Sequence, residues 1–111
     1  MKFRHLLACL PLACLGFNAQ AQEVDFAKVN EILKANACLA CHTVDTKVVG
    51  PAYKDVAAKY KDDPANAELL RQHIRQGSQG VWGNIPMAAQ THLSDENLEI
   101  IVNWLMAGAP N

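Results

Sequence analysis

The sequence predicts an all-α domain of four to five short helices, and three observations indicate this fold class. Apolar residues recur about one helical turn apart in four separate segments of the 111-residue chain. Proline or glycine stands at or near the ends of most of these segments. The chain also lacks a hairpin signal of the Asn-Gly type, so it gives little support for strands.

The first 21 residues have the composition of a secretory signal peptide. Lys2 and Arg4 give a positive start, and residues 6–17 form an apolar stretch of about a dozen residues. Ala19 to Ala21 then matches the small-x-small cleavage pattern. A membrane span needs roughly 20 apolar residues, so an uncleaved anchor is the weaker alternative. We therefore expect export and cleavage after about Ala21.

Cleavage would leave a single small domain, residues 22–111, with a slightly acidic charge. The whole chain has 10 basic and 11 acidic residues, and losing Lys2 and Arg4 changes its net charge from −1 to −3. An acidic domain is a poor candidate for nucleic-acid binding, which uses a basic face. A chain of this length buries only a modest core, which a large apolar cofactor would extend.

The two N-terminal helices are predicted at residues 26–37 and at Pro51 to Lys61. Asp25 is placed to cap the first helix, and proline is tolerated at the first position of the second. The apolar stripe of the first helix consists of Phe26, Val29, Ile32 and Leu33.

The two C-terminal helices are predicted to begin at Asp63-Pro64 and at Ser94. The third helix stops at Gly77, and Gly108 follows the end of the fourth. The third carries Leu69, Leu70 and Ile74 on one side, and the fourth carries Leu98, Ile101, Val102 and Leu105.

A long irregular segment separates these last two helices, from Gly77 to Leu93. Irregular segments of this length in compact domains are usually functional or disordered. Trp82, Ile85 and Met87 argue against disorder. We therefore expect the segment to face something apolar, and we call residues 77–93 the methionine loop.

The motif Cys38-Leu39-Ala40-Cys41-His42 predicts the covalent attachment of one haem c. Positions three apart lie on one face of a helical turn, so both sulfurs can reach the vinyl groups on one porphyrin edge. His42 follows at once and can turn its imidazole towards the iron.

Other uses of the two cysteines have less support. A thioredoxin-like dithiol needs a βαβ setting, and a disulfide closing so small a loop would stabilise little. A structural zinc site needs four ligands, and only His73 and His92 remain. A chance match to five residues is the remaining alternative, against which the export signal argues.

Met87 is the candidate for the second iron ligand. Met1 leaves with the signal, and Met106 lies one turn after Val102, as a helix-core residue would. Met87 follows Pro86 in a loop where no packing pattern requires a methionine. His73 and His92 are rival ligands.

A histidine and methionine ligand pair predicts an electron carrier that is not an enzyme. The thioether raises the reduction potential, and both ligands can stay bound through the redox cycle. A six-coordinate iron binds substrates poorly. The alternatives are a gas-binding or sensor module and a small peroxidase, in which Met87 would be displaced.

The chain resembles the short bacterial class I cytochromes c with one haem, of the pseudomonad kind that donates electrons to nitrite reductase or a terminal oxidase. The resemblance covers nearly all of residues 22–109. Its most specific stretches are VGPAYKDVAAK at 49–59 and GSQGVWG at 77–83. It implies a class I fold with the helices wrapped around one covalently attached haem. It also implies a periplasmic, monomeric shuttle that receives electrons from a quinol-oxidising complex.

The resemblance also implies roles for single residues. The Pro51 carbonyl should accept a hydrogen bond from His42, and the Trp82 indole should donate one to a haem propionate. Phe26 and Trp104 should pack where the first and last helices cross. Redox partners should dock weakly around the exposed haem edge, where basic and apolar residues lie. All six lysines of residues 22–111 lie in the first half of that domain: Lys28, Lys34, Lys47, Lys54, Lys59 and Lys61.

Five positions depart from the pattern of the family. Asn84, Ala88 and Ala89 stand where close relatives often have proline, so the methionine loop should detach more readily in this chain. Gln90 replaces an asparagine that donates to the ligand sulfur, which puts that bond in doubt. His73 replaces an arginine near a propionate, and its titration should lower the midpoint potential as pH rises across roughly 5 to 8.

Overall fold

Four α-helices make up most of the regular structure in the described part of the chain. The structure, a computed structural model, describes residues 24–111 together with Gly16. The helices are α1 (Phe26–Ala35), α2 (Tyr53–Tyr60), α3 (Asn66–Gln76) and α4 (Asp95–Met106), and a short 3₁₀ helix spans Cys38–Ala40. Within the described residues there are two isolated β-bridges and no strand. The all-α prediction is therefore confirmed.

The predicted signal peptide lies outside the described residues, apart from Gly16. Among the residues that are described, no helix combines the length and the apolar character that crossing a membrane requires.

Helix ends follow the local chemistry of the sequence at three places. Asp25 Oδ1 accepts a hydrogen bond from the Ala27 amide (2.9 Å) at the start of α1. Ser94 Oγ accepts one from the Asn97 amide (3.1 Å) at the start of α4. Gly77 ends α3 with a φ of +80°, a conformation that glycine adopts without steric cost. These predicted caps are confirmed.

Two predicted helix starts are wrong by two or three residues. Helix α2 begins at Tyr53 after Ala52, so Pro51 lies outside it and its carbonyl is free of the helix. Helix α3 begins at Asn66, because Asp63 accepts a hydrogen bond from the Ala65 amide (2.9 Å) and forms a turn before it.

The hydrophobic core is organised around α4, which packs against each of the other three α-helices. Its Trp104 is fully buried, and the Phe26 ring lies 6.0 Å from the Trp104 ring, centroid to centroid. The expected crossing of the first and last helices is confirmed. Leu70 of α3 is buried. Leu69 was predicted on the same apolar side, but it is 37% exposed and lies outside the core.

Candidate functional site

A cavity of about 560 Å³ lies between the core, residues 41–51 and the methionine loop. Cavities that hold one organic ligand or cofactor have volumes of about 300–1,000 Å³. All six residues singled out from the sequence line this cavity: Cys38, Cys41, His42, Pro51, Trp82 and Met87.

The two cysteines flank the single turn that follows α1. Cys38 begins the 3₁₀ helix and Cys41 follows its end, and the amides of Cys41 and His42 both donate to the Cys38 carbonyl at 3.2 and 3.0 Å. In a 3₁₀ turn, residues three apart eclipse one another, so both sulfurs can address one edge of a ligand. Cys38 and Cys41 form no disulfide, so both sulfurs are available to bond to one ligand.

The His42 ring is held in a fixed orientation. Its Nδ1 donates to the Pro51 carbonyl oxygen at 2.8 Å, as the resemblance implied. Because a carbonyl oxygen can only accept, Nδ1 carries the proton and Nε2 keeps its lone pair. Nε2 is therefore the nitrogen that can bind a metal.

Two neighbours enclose the flat faces of this ring. Tyr53 stacks on it with ring centroids 4.9 Å apart and planes 23° apart. A Cβ added at Gly50 would lie 2.5 Å from His42 Cε1, so only glycine fits there without displacing the ring.

Tyr53 is a site residue that the sequence analysis missed. Its ring is buried, stacks on His42 and meets the Trp104 indole edge-on at 5.1 Å, so it connects the site to the core. Burial raises the pKa of its hydroxyl far above the ordinary range, with a smaller contribution from Cys38. Its position in the VGPAY stretch, two residues after Pro51, was the available signal.

The backbone of Met87 pairs with the start of the methionine loop, just after the end of α3. Met87 and Ser78 exchange two hydrogen bonds, from the Met87 amide to the Ser78 carbonyl (2.8 Å) and back (3.2 Å). A Cβ added at Gly77 would lie 2.6 Å from the Met87 carbonyl oxygen, so the two segments are in close contact.

The side-chain amide of Gln90 donates within the loop backbone and not to the Met87 sulfur, the acceptor that the asparagine of relatives uses. Its Nε2 donates to the Ala88 carbonyl oxygen at 3.0 Å, inside the methionine loop. The Gln90 backbone amide donates to the Ile74 carbonyl (2.9 Å), which adds a second attachment between the loop and α3.

Trp82 and His73 lie on the cavity wall at different depths. Trp82 is 38% exposed, and Lys59 Nζ lies 5.8 Å from its ring centroid, within range of a cation–π interaction. His73 projects from α3 and meets the Tyr60 ring edge-on at 6.4 Å. The rival ligand His92 is exposed and is not among the residues that line the cavity.

The residues of the cavity fit a covalently bound haem. Two cysteines, an oriented imidazole and a thioether are the donors that c-type haem uses. Five of the six large apolar side chains that are exposed in the described residues line this cavity, so a flat apolar macrocycle would cover part of them. They are Val48, Val49, Val81, Trp82 and Ile85. No group of three or more His, Cys, Asp or Glu able to hold a metal occurs among the described residues, so a zinc site gains no support.

Comparison with known proteins shows which family this chain belongs to. The sequence profile of the family described as Cytochrome c matches residues 26–109. The chain belongs to the cytochrome c family. It therefore has one covalently attached haem c, and it is a small electron-carrier cytochrome.

Several relatives support this assignment. Cytochrome c-552 of Nitrosomonas europaea is 47% identical over 76 residues, which cover 68% of this chain and 74% of that protein. Its crystal structure has a TM-score of 0.66, covering 69% of this chain and 95% of that chain. Cytochrome c-551 of Pseudomonas aeruginosa is 43% identical over 92% of this chain and 90% of its own length. The class 1 cytochrome MtoD of Sideroxydans lithotrophicus, 23% identical with a TM-score of 0.65 over 79% of this chain and all of its own, supports the fold alone.

Proposed function

We propose that this cytochrome shuttles single electrons between respiratory proteins of the periplasm, with its iron held by His42 and Met87. The observation that carries the proposal is that a His42 ring with a free Nε2 and a backbone-fixed Met87 line the same cavity as the two cysteines. Residues 1–21 would serve as the export signal, and residues 22–111 would be the mature protein.

The haem would supply the centre that changes valence, and His42 and Met87 would hold its iron. The Pro51 carbonyl fixes the His42 tautomer and strengthens the imidazole as a ligand. Met87 offers a neutral thioether, which favours the reduced state and raises the potential. With His42 and Met87 both bound to the iron, no position would be open for a substrate, so the protein would carry electrons and would not act as an enzyme.

The rim of the cavity has the composition of a docking surface for redox partners. Its exposed valines and Ile85 are apolar, and Lys47 lies beside them. Lys59 lies 5.8 Å from the ring centroid of Trp82, which also lines the cavity, whereas Lys54 and Lys61 are paired with Asp45 and Asp62 at 2.9 Å. Redox encounters use small interfaces and are brief. The donor would be a quinol-oxidising complex, and the acceptor would be nitrite reductase or a terminal oxidase.

Trp82 and His73 would surround the propionates of the haem. The Trp82 indole would donate to one propionate while Lys59 lies over its ring. His73, on the cavity wall, would couple its protonation to reduction, so the midpoint potential would fall as pH rises through neutrality.

Two spectra and one kinetic assay test this function. The oxidised holoprotein should show the weak far-red band of an iron–sulfur bond, and the reduced holoprotein should not bind carbon monoxide. The reduced protein should also pass electrons rapidly to a purified terminal oxidase or nitrite reductase. Ready carbon monoxide binding would favour a gas-binding module, and peroxide turnover would favour a peroxidase. Either result would contradict the proposal.

A further inference from the structure

Arg75, near the end of α3, is bonded to two carbonyls of the methionine loop. Its Nη1 donates to the Gln90 carbonyl oxygen at 2.8 Å and also to the Leu93 carbonyl oxygen. Its Nη2 donates to Asp95 Oδ1 at 2.7 Å, in the first turn of α4. The Arg75 side chain is 27% exposed, so these bonds form at a partly buried position.

These bonds complete a series of attachments that begins at Met87. The Met87 backbone pairs with Ser78, and the Gln90 amide donates to the Ile74 carbonyl. Because Arg75 binds the Gln90 carbonyl, both the N–H and the C=O of Gln90 are attached to α3. The loop downstream of Met87 is therefore fixed at Gln90 and at Leu93, and Arg75 provides both carbonyl contacts.

The chemistry of arginine suits this position better than that of any other residue. A guanidinium group has five donors in a planar fork, whereas the lysine ammonium is a single point charge. Hydrogen bonds from a charged donor are also stronger than those between neutral groups. Removing the guanidinium would leave the Gln90 and Leu93 carbonyls without this donor.

We propose that Arg75 is a positioning residue that keeps the Met87 thioether on the haem. Arg75 does not line the cavity, so it acts through Gln90 and the loop backbone and not by contact with the haem. Without it, the loop would open more often, and Met87 would leave the iron more often. This inference rests on the proposed role of Met87 as a ligand.

Arg71 provides a matched control on the same helix. It pairs with Glu99 of α4 through Nε and through Nη2 (3.0 Å), and with Glu68 of α3 (3.2 Å). Both arginines therefore connect α3 to α4 by an ion pair, but only Arg75 binds the methionine loop. Comparing Arg75→Met with Arg71→Met separates loop positioning from the general stability of the α3–α4 contact.

The test measures imidazole binding to the oxidised holoprotein. Binding is monitored through the loss of the far-red band, because imidazole can bind the iron only when Met87 has left it. We expect the apparent affinity for imidazole to rise by at least about tenfold in Arg75→Met, because the variant loses both charge-assisted hydrogen bonds to the loop. Arg71→Met should bind imidazole as the parent does, and Arg75→Lys should fall between the parent and Arg75→Met.

Amide hydrogen exchange gives a second readout that does not depend on the iron ligand. The Gln90 and Met87 amides should exchange faster in Arg75→Met and keep the parental rate in Arg71→Met. The Gly50 amide, which donates to the Cys41 carbonyl on the His42 side (2.8 Å), should not change in either variant.

The outcomes separate this inference from the proposed function. Equal imidazole affinities in Arg75→Met and Arg71→Met, or exchange at Gln90 that does not change, would overturn the positioning role. If Arg75→Met fails to hold haem, Arg75→Lys decides by the same two measurements. If the parent itself lacks the far-red band, the ligand role of Met87 fails, while faster Gln90 exchange would still support the attachment of the loop by Arg75.

Discussion

The two irregular segments that enclose the haem cavity are held in different ways. On the His42 side, residues 42–52 are bound by backbone hydrogen bonds from Gly50 to Cys41 (2.8 Å) and from Tyr53 to Thr43 (2.9 Å). The ring of His42 is enclosed by Pro51, Gly50 and Tyr53, and Tyr53 contacts the buried Trp104.

On the Met87 side, the methionine loop is attached mainly near its ends. Ile74 and Arg75 of α3 bind it near its C-terminal end, and Ser78 pairs with Met87 within the loop. Between these points, residues 80–86 have one backbone hydrogen bond among themselves, from Gly80 to Gly83 (3.0 Å). Segments that are held by few contacts open at a lower free energy than the core does. The protein should therefore lose its thioether ligand before it loses its histidine, and the haem should stay attached throughout.

Gly77→Ala should have the largest effect, by weakening the attachment of the methionine loop on the Met87 side. An alanine at a positive φ costs about 1–2 kcal/mol, and at Gly77 its Cβ would also lie 2.6 Å from the Met87 carbonyl oxygen. Gly108→Ala is the matched control, since Gly108 also has a positive φ (+101°), does not line the cavity, and would place an added Cβ no closer than 4.0 Å to another side chain, at Lys61 Cδ. We expect both variants to be less stable to denaturant, and only Gly77→Ala to lose much of its far-red band. Equal bands in the two variants would mean that the contact with Met87 is not needed.

Tyr53→Phe, on the His42 side, should change the pH dependence of the free energy of unfolding. Burial raises the pKa of the Tyr53 hydroxyl above its ordinary value of 10.0, so the unfolded chain loses this proton first as pH rises. Stability from this group is complete below about pH 10 and decreases above it, by about 1.4 kcal/mol at pH 11. In Tyr53→Phe the unfolding free energy should therefore fall by about 1 kcal/mol less between pH 10 and 11 than in the parent. The decline should not vanish, because burial also raises the pKa of Tyr60. Parallel curves for the two proteins would contradict a buried, protonated Tyr53.

Prolines at positions 84, 88 and 89 should stabilise the methionine loop on the Met87 side, with a smaller effect than the two preceding variants. The amides of Asn84, Ala88 and Ala89 donate no hydrogen bond within the described residues, so proline would remove none there. Each compatible proline stabilises by about 0.4–1 kcal/mol through the unfolded chain. The triple variant should keep its far-red band to a higher temperature than the parent, with little change in the temperature of haem-pocket unfolding. A band that disappears at the parental temperature would show that opening is not limited by chain entropy.

Sequence reasoning was most successful where short-range chemistry decides the structure. The caps at Asp25 and Ser94 and the end of α3 at Gly77 depend on neighbouring residues, and the sequence shows those neighbours. The start of α2 was misplaced because the Pro51 carbonyl is used by His42, nine positions away in the chain.

Long-range partners were harder to predict from one sequence. Leu69 fits the helical spacing, yet it is 37% exposed because the neighbouring Leu70 turns towards the core. Arg75 reads as an ordinary charged residue near a helix end, and its carbonyl partners lie 15 and 18 positions further along the chain. The stacking of Tyr53 on His42 likewise depends on how the segments meet in space.

The central claim is that the iron lies between His42 and Met87, and the far-red spectrum of two methionine variants tests it most directly. Met106, on α4 beside the core, is the other methionine of residues 22–111 and provides the control. Oxidised Met106→Leu should keep the iron–sulfur band and the parental potential, whereas Met87→Leu should lose the band and have a lower potential. An intact band in Met87→Leu would contradict the account.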